Sequence, residues 1–467
     1  MPERAPDQAR LLTAGYRRRF VTLMFLVCFF NFADRAVFSV LAQTIKADLA
    51  LTDFQLGLLQ GLAFALLYAT FGLPIGILAE RVSRLRIVAA ATAIWSAATV
   101  ASGMAASFAQ LMLARLVVGM GEAGFTPPTA SLVSDLVPRQ RRASTMSLVM
   151  LGTPVGLFLG SLIAGGIAAE YGWRAAFFAL GLPGLLAAGL VLLLLTEPDR
   201  GLAEAAPPER RPAPRFGEFL RTLRGNRSLC LIIAGGGLAG FGMTSISQFL
   251  AVFLARVHEM GVAEAGAFYG SISGLALTIG LLVGSFGTDY LSRRDLRWPA
   301  WGAAIGLGFA PFLYWLAFAA ESRLAASVLL VLAGSTLLLF FGPTTGMIQN
   351  LLPPRMRATG AALYAMIYTM IGAGLGPVAV GFFSDLLAAR SFAGDYEAAC
   401  PAGLPPPGAA PEIARACADA SATGVQQALM LSVAVFFLSS LLFLLASRTL
   451  RADLYDPEKV GVQETAA

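Results

Sequence analysis

Apolar residues fall along this chain in long runs of twenty or more, broken by short polar stretches rich in Arg, Pro and Gly. Roughly 20 mainly apolar residues are what an α-helix needs to cross the hydrocarbon of a bilayer, because each residue advances it only about 1.5 Å. Twelve runs qualify, and helices are predicted over 20–45, 54–79, 87–108, 111–134, 145–169, 174–196, 228–254, 263–290, 298–319, 324–350, 358–388 and 426–447. The expected fold class is an all-α membrane protein with twelve transmembrane helices.

The pattern lapses for long at 197–227, "EPDRGLAEAAPPERRPAPRFGEFLRTLRGNR", where Pro, Arg and Glu take over. A stretch of this composition is a linker. The expected organisation is a six-helix half at 1–196, the linker at 197–227, a second six-helix half at 228–448 and a tail at 449–467. An internal repeat supports the division. "LVPRQRRASTMSL" (136–148) aligns with "LLPPRMRATGAAL" (351–363), and "ERVSR" (80–84) with "DYLSR" (289–293), at offsets of 215 and 209 positions. Parallel repeats of six spans are a transporter architecture.

Composition agrees with this pattern: 57% of the 467 residues are hydrophobic and 13% charged, and the mean hydropathy is +0.71. Charge then adds orientation. With the N-terminus inside, 26 Lys and Arg fall on the cytoplasmic side, 6 outside and 2 within spans, which accounts for all 34. Short cytoplasmic loops retain positive charge, so both termini are expected in the cytoplasm, in a bacterial inner membrane. The net charge of +6 reflects loop arginines suited to anionic membrane lipids, and no nucleic-acid partner is needed to explain it. Arg17 to Arg19 before an apolar run imitate a secretory signal, but Asp34 and Arg35 interrupt that run and eleven more spans follow. An uncleaved first helix is expected.

Those two charges carry the candidate chemistry. "NFADRAVF" (31–38) sets Asp34 and Arg35 inside the first span, and "RLVVGMGEA" (115–123) sets Arg115 and Glu122 inside the fourth. Asp34 lies roughly 22 Å of helix from Arg19, and Glu122 roughly 25 Å from the basic loop after it, so the carboxylates share a depth. A charge at mid-span is costly enough to require a cavity or a partner. Proton coupling through Asp34 and Glu122 is the expected role; a static ion-pair network that fixes packing is the competing one. Arg115, Gly119, Glu122 and Thr126 make one polar stripe on the fourth helix, with Pro127 and Pro128 breaking it below Glu122. On the first helix Asn31, Asp34 and Phe38 share a face. Arg35 is rotated by about 100° from Asp34, free to meet Glu122 or a substrate phosphate.

"GILAERVSRLR" (76–86), "RLVVGMGEA" (115–123) and "YGWRAAFF" (171–178) resemble signature segments of the major facilitator superfamily, with Glu80 where an Asp is usual. The resemblance runs over essentially the whole chain. Within the superfamily, Asn31, Phe32, Asp34 and Arg35 with Gly121 to Gly124 and "SLVSDLVPRQRR" look most like the spinster-like branch. Animal members of that branch are associated with sphingosine-1-phosphate or lysophospholipids. The resemblance therefore implies alternating access, first and fourth helices that line a cavity, and an amphiphilic lipid-like substrate; the residues expected to meet it, from their places on the spans, are Arg35, Asn31, Phe38, Thr126 and Gln248. It also implies that Glu80, Arg84, Asp135, Arg142, Asp289 and Arg293 serve a cytoplasmic gate; ordinary interfacial anchoring is the bland alternative for each arginine.

Other signals are weaker. Thr244, Ser245, Thr344, Thr345 and Tyr368 could line the second half of a cavity, or could be hydroxyls satisfied by their own backbone. "GGGLAG" (235–240) sits within a span and reads as close helix packing, not nucleotide binding. Cys28 and Cys230 read as apolar fillers, whereas Cys400 and Cys417 share the outer loop and are expected to pair. No P-loop, H-E-x-x-H or G-x-S-x-G occurs, so neither an enzyme nor an ATP-driven motor is expected. No cofactor is expected beyond protons as coupling ion, and the monomer is the expected unit. Alternatives are an organic-anion symporter, a proton-driven multidrug efflux pump and, in a different class, a passive lipid scramblase or membrane sensor.

Overall fold

The computed structural model describes residues 6–138, 141–203, 216–353 and 356–455. Among the described residues all regular structure is helical, and eleven segments are long and apolar enough to cross a membrane. One of them, Ser144–Leu194, has 51 residues, far more than the ~30 Å hydrocarbon core can hold as one straight helix. It breaks at Gly172, whose φ of 80° and ψ of 163° belong to a region that only glycine enters without strain. Twelve crossings result: α1 (Ala14–Leu49), α2 (Asp53–Leu78), α3 (Arg84–Gly103), α4 (Phe108–Leu136), α5 and α6 on either side of Gly172, α7 (Arg227–Val257), α8 (Val262–Ser292), α9 (Trp298–Ala319), α10 (Arg323–Leu351), α11 (Thr359–Ser391) and α12 (Pro411–Asp453). Each coincides with a predicted span. α12 begins well before the predicted position 426, because 411–425 is an amphipathic helix whose Glu412, Arg415 and Asp419 hide it from an apolar count.

Local chemistry sets the ends and breaks. Thr52 and Gln55 form a capping box at the start of α2, which satisfies donors that the first helical turn leaves open. Ser83, Ser107 and Ser322 cap α3, α4 and α10 in the simpler way. α2 is interrupted at Gly61. α4 is interrupted at Ala123–Phe125, one residue beyond Glu122. The sequence places this weak point at Pro127 and Pro128; instead those prolines start the second segment of α4, at positions where a missing N–H costs nothing.

The chain packs as two compact units. The first comprises Met1–Glu209, Ser247–Gly274 and Pro377–Ala428. Here Gly152, Gly156 and Gly160 of α5 lie directly against the α1 backbone, so that a Cβ on Gly160 would stand 2.7 Å from Ala33. Gly266 and Gly270 of α8 press on Ser161 and Phe158 of α5 in the same way, and Gly381 of α11 presses on Asp53 of α2. Those contacts bring parts of the second sequence half into this unit. The second unit comprises Arg210–Ile246, Leu275–Gly376 and Leu429–Ala467. Its "GGGLAG" run is a packing surface, with Gly236 and Gly240 against the rings of Tyr364 and Tyr368. α11 widens to π-helical turns over Tyr368–Leu375.

Candidate functional site

The charges of α1 and α4 meet within the first unit as two ion pairs. Arg35 of α1 donates to Glu122 of α4 through Nε at 2.8 Å and Nη2 at 2.6 Å, both to Oε2. Arg115 of α4 faces Asp34 of α1 across 3.6 Å, while Thr99 of α3 donates to the other oxygen of Asp34 at 2.6 Å. Asp34, Arg115 and Glu122 are 3%, 2% and 1% exposed. The Arg35 side chain keeps 29% of its surface open. Among the described residues, Asp34 Oδ2, Glu122 Oε1 and Arg115 Nε and Nη1 have no hydrogen-bond partner. Bonding capacity is therefore unused on both carboxylates and on one guanidinium.

Aromatic rings hold the two arginines. The Arg35 guanidinium lies 4.7 Å from the Phe64 ring, 5.0 Å from Phe32 and 5.5 Å from Tyr68. That of Arg115 lies 4.8 Å from Phe38 and 5.8 Å from Phe64. Ring faces attract such cations where water is scarce. Phe38 is fully buried between Arg115 and Phe177, and Asn31, two turns away on α1, is buried too; neither forms open surface in this structure. Gln248 of α7 is half-buried and accepts a short hydrogen bond from Ser39 of α1. Thr126 is exposed, past the break in α4.

At the linker end of the first unit, Arg84 is buried and donates to Asp135, to Ser131 at 3.0 Å, to Glu197 at 2.8 Å and to the Pro198 carbonyl at 2.8 Å. Burial works against the charge on Glu197. Hydrogen bonds from the Leu85 and Arg84 amides, the Arg84 side chain and the Ser83 hydroxyl outweigh it and hold the carboxyl below its ordinary value. Arg142 donates to the carbonyls of Ser134 and Val137, at 2.6 and 3.1 Å, and so closes the end of α4. Glu80 and Arg293 are exposed, and the side chain of Asp289 lies outside the described part. Arg84 and Asp135 are thus brought together, and the linker residue Glu197 completes their cluster.

A second buried network occupies the opposite end of the same unit. Asp53, at the start of α2, receives Lys46 of α1 at 2.6 Å, Arg256 of α7 through two nitrogens at 2.6 Å, and the Ser384 hydroxyl of α11 at 2.6 Å. Asp385 takes the backbone N–H groups of Asp53 and Phe54 at 3.0 and 2.8 Å. Beside it, Cys400 and Cys417 are joined in a disulfide with Cα atoms 5.7 Å apart. Tyr396 packs with them, its hydroxyl pushed up to about 12 by burial and then by the charge of Asp53.

Sequence reasoning found the four mid-span charges but not Phe64, Tyr68 or Thr99, which look like ordinary contents of apolar helices. It also missed Lys46, Asp53, Arg256 and Asp385, which lie at helix ends where charges are unremarkable. The capping signature at Thr52 and Gln55 was the local signal available, and it points to a helix start rather than a charge cluster. Thr244, Ser245, Thr344 and Thr345 donate to backbone carbonyls of Gly372, Phe241, Phe340 and Gly342 at 2.6 to 2.8 Å, as the bland alternative holds.

Twelve crossings, with a buried, incompletely satisfied charge cluster inside the first unit, define a polytopic membrane carrier. Residues 24–377 match the family model described as Major Facilitator Superfamily, and the chain belongs to that superfamily of transporters. It is 31% identical over 390 residues to an MFS-type efflux pump of Mycolicibacterium smegmatis, covering 83% of this chain and 89% of that one. It is 26% identical to the sphingosine-1-phosphate transporter SPNS2 of Xenopus tropicalis, over 76% of this chain and 72% of the other. Among solved structures it is similar to a bacterial homologue of the human lysosomal transporter spinster, in an inward-facing and occupied conformation. There the identity is 30%, the TM-score 0.85 and the coverage 95% of this chain and 100% of that one. The protein is thus a spinster-like transporter and not an enzyme.

Proposed function

We propose that the protein is a proton-coupled secondary transporter that moves an amphiphilic, lipid-like substrate of the lysophospholipid or sphingoid-phosphate class by alternating access. The observation that carries this is the Arg35 side chain, 29% exposed and bound through its guanidinium to one oxygen of Glu122, whose other oxygen is unpartnered. A proton on Glu122 removes the charge that holds Arg35 and frees the guanidinium for an anionic head group, which its planar fork can grip with two hydrogen bonds. Asp34 with Arg115 repeats the arrangement one helix face away and provides a second carboxylate for the coupling step. The transporter works as a monomer in the bacterial inner membrane with both termini cytoplasmic, and it needs no cofactor other than protons. The sphingosine-1-phosphate transport named for the frog relative supports the substrate class; the efflux pump favours a second reading, export of amphiphilic drugs.

Flux into proteoliposomes under an imposed pH gradient tests the proposal, with lysophospholipids, sphingoid phosphates, small organic anions and cationic drugs offered in turn. Gradient-driven accumulation of the lysolipids, abolished by Glu122→Gln and by Asp34→Asn, is the expected result. Accumulation of the cationic drugs alone moves the protein to efflux, and that of small anions alone to organic-anion symport. Gradient-independent equilibration of lipid would mark a scramblase.

A further inference from the structure

We infer that Phe64 is a positioning residue that keeps the two ion pairs apart and thereby sets the pH at which the transporter switches. This rests on the proton-coupling reading above and deepens it. Among the described residues Phe64 is the one ring found against both guanidiniums, 4.7 Å from that of Arg35 and 5.8 Å from that of Arg115. It is itself 5% exposed.

Its position is enforced from behind. α2 is interrupted at Gly61, and three residues on, the Phe64 backbone seats directly on Gly119 of α4, where any Cβ would overlap the Phe64 carbonyl. Beside it the Tyr68 ring stacks on Phe64 at 5.3 Å and covers Arg35 as well. Gly119 lies in α4 between Arg115 and Glu122, so one small residue fixes where the ring stands relative to both.

The unused bonding capacity shows what the ring prevents. Arg115 Nε and Nη1 have no hydrogen-bond partner, and neither does Glu122 Oε1. Arg115 and Glu122 lie seven positions apart on one face of α4, two turns and about 10 Å of rise, a gap that the two extended side chains can span. Asp34 Oδ2 is similarly open to a second cation. The groups that face this ring are Asp34 and Arg35 from α1, Tyr68 from α2, and Arg115 and Glu122 from α4, with Thr99 of α3 on Asp34. With the ring in place, each carboxylate makes its close pair with one arginine, Glu122 with Arg35 and Asp34 with Arg115, and feels the other arginine only at longer range. The attraction of each guanidinium to this ring competes with movement of Arg115 toward Glu122. Without it, Arg115 can reach Glu122, both carboxylates share both cations, and each holds its proton less well.

The sign follows. Loss of the ring gives the carboxylates more positive charge and more water, so protonation, and the movement coupled to it, requires a more acidic solution. Spin-label distances at the two ends of the helices, recorded on the full-length protein in lipid between about pH 4 and pH 8, give a switching midpoint. Phe64→Leu should move that midpoint about one pH unit to the acidic side, a tenfold loss of proton affinity. Phe64→Tyr, which restores a ring, should return it to the wild-type value. Gly119→Ala, which keeps the ring but pushes it off its seat, should shift it in the same direction as Phe64→Leu and provides the measurement if that variant does not fold. A wild-type transition that neither Phe64→Leu nor Gly119→Ala moves overturns the inference alone. A wild type with no pH-dependent transition overturns the coupling reading and this inference with it.

Discussion

Arg35 meets its surroundings through three rings and one carboxylate oxygen. A lysine in its place would keep the charge but lose the planar fork, the two-nitrogen grip on Glu122 and most of the stacking. Arg35→Lys should therefore bind a lysophospholipid clearly more weakly, and Arg35→Ala should lose on the order of 2 to 5 kcal/mol if the contact is fully desolvated. Lipid-dependent thermal stabilisation of the purified protein, titrated for each variant, measures this; stabilisation by cationic drugs that survives Arg35→Ala points to drug export. At this scale the sequence was informative where a residue was out of place. Asp34, Arg35, Arg115 and Glu122 stand out because charge in an apolar run demands a reason. Phe64 and Tyr68 do not stand out, because an aromatic ring in an apolar helix is ordinary filler until a cation is found beside it.

Helices and their junctions carry the next level. All twelve spans were legible from apolar run length, since a bilayer imposes one length requirement on each. The interruptions of α2 and α4 were less so: Gly61 gave no warning, and the prolines near Glu122 marked the restart of α4 instead of its break. Nor does a linker composition reveal that Glu197 folds back onto the start of α3. That contact has a pH signature. Because the Glu197 carboxyl is held below its ordinary value of 4.5, the clamp is at full strength above that value and is lost as pH falls through the lower folded one. Amide hydrogen exchange at Arg84 and Leu85, expressed as protection to remove the intrinsic pH dependence, should be flat near neutrality and fall steeply only at acidic pH. In Glu197→Gln the protection should be low throughout, with no such fall.

At the scale of the whole molecule, the network around Asp53 is, among the described residues, the most concentrated set of buried charges outside the mid-span cluster, with Lys46, Arg256, Ser384 and Asp385 drawn from α1, α7 and α11. Removing its central anion would leave two buried cations facing each other. Asp53→Asn should cost about 3 to 5 kcal/mol, read as a lowered unfolding temperature, and the triple change Lys46→Met, Asp53→Leu, Arg256→Met should recover most of it. Nothing in the sequence pairs these residues, because Arg256 and Ser384 lie 203 and 331 positions from Asp53. Contacts across such separations leave no periodic trace.

The same separations bear on how the protein is made. Asp53 emerges from the ribosome long before Arg256 or Ser384 exists, yet it enters the membrane at the head of α2 with a charge to satisfy. Lys46, seven positions earlier, is already there. The α1–α2 hairpin can thus be inserted with its own neutralised pair, and the later helices add their partners to a site that has been safe to bury since the first two spans were threaded. A chain lacking Lys46 would meet its difficulty during synthesis, at the second span, before there was any finished transporter to destabilise.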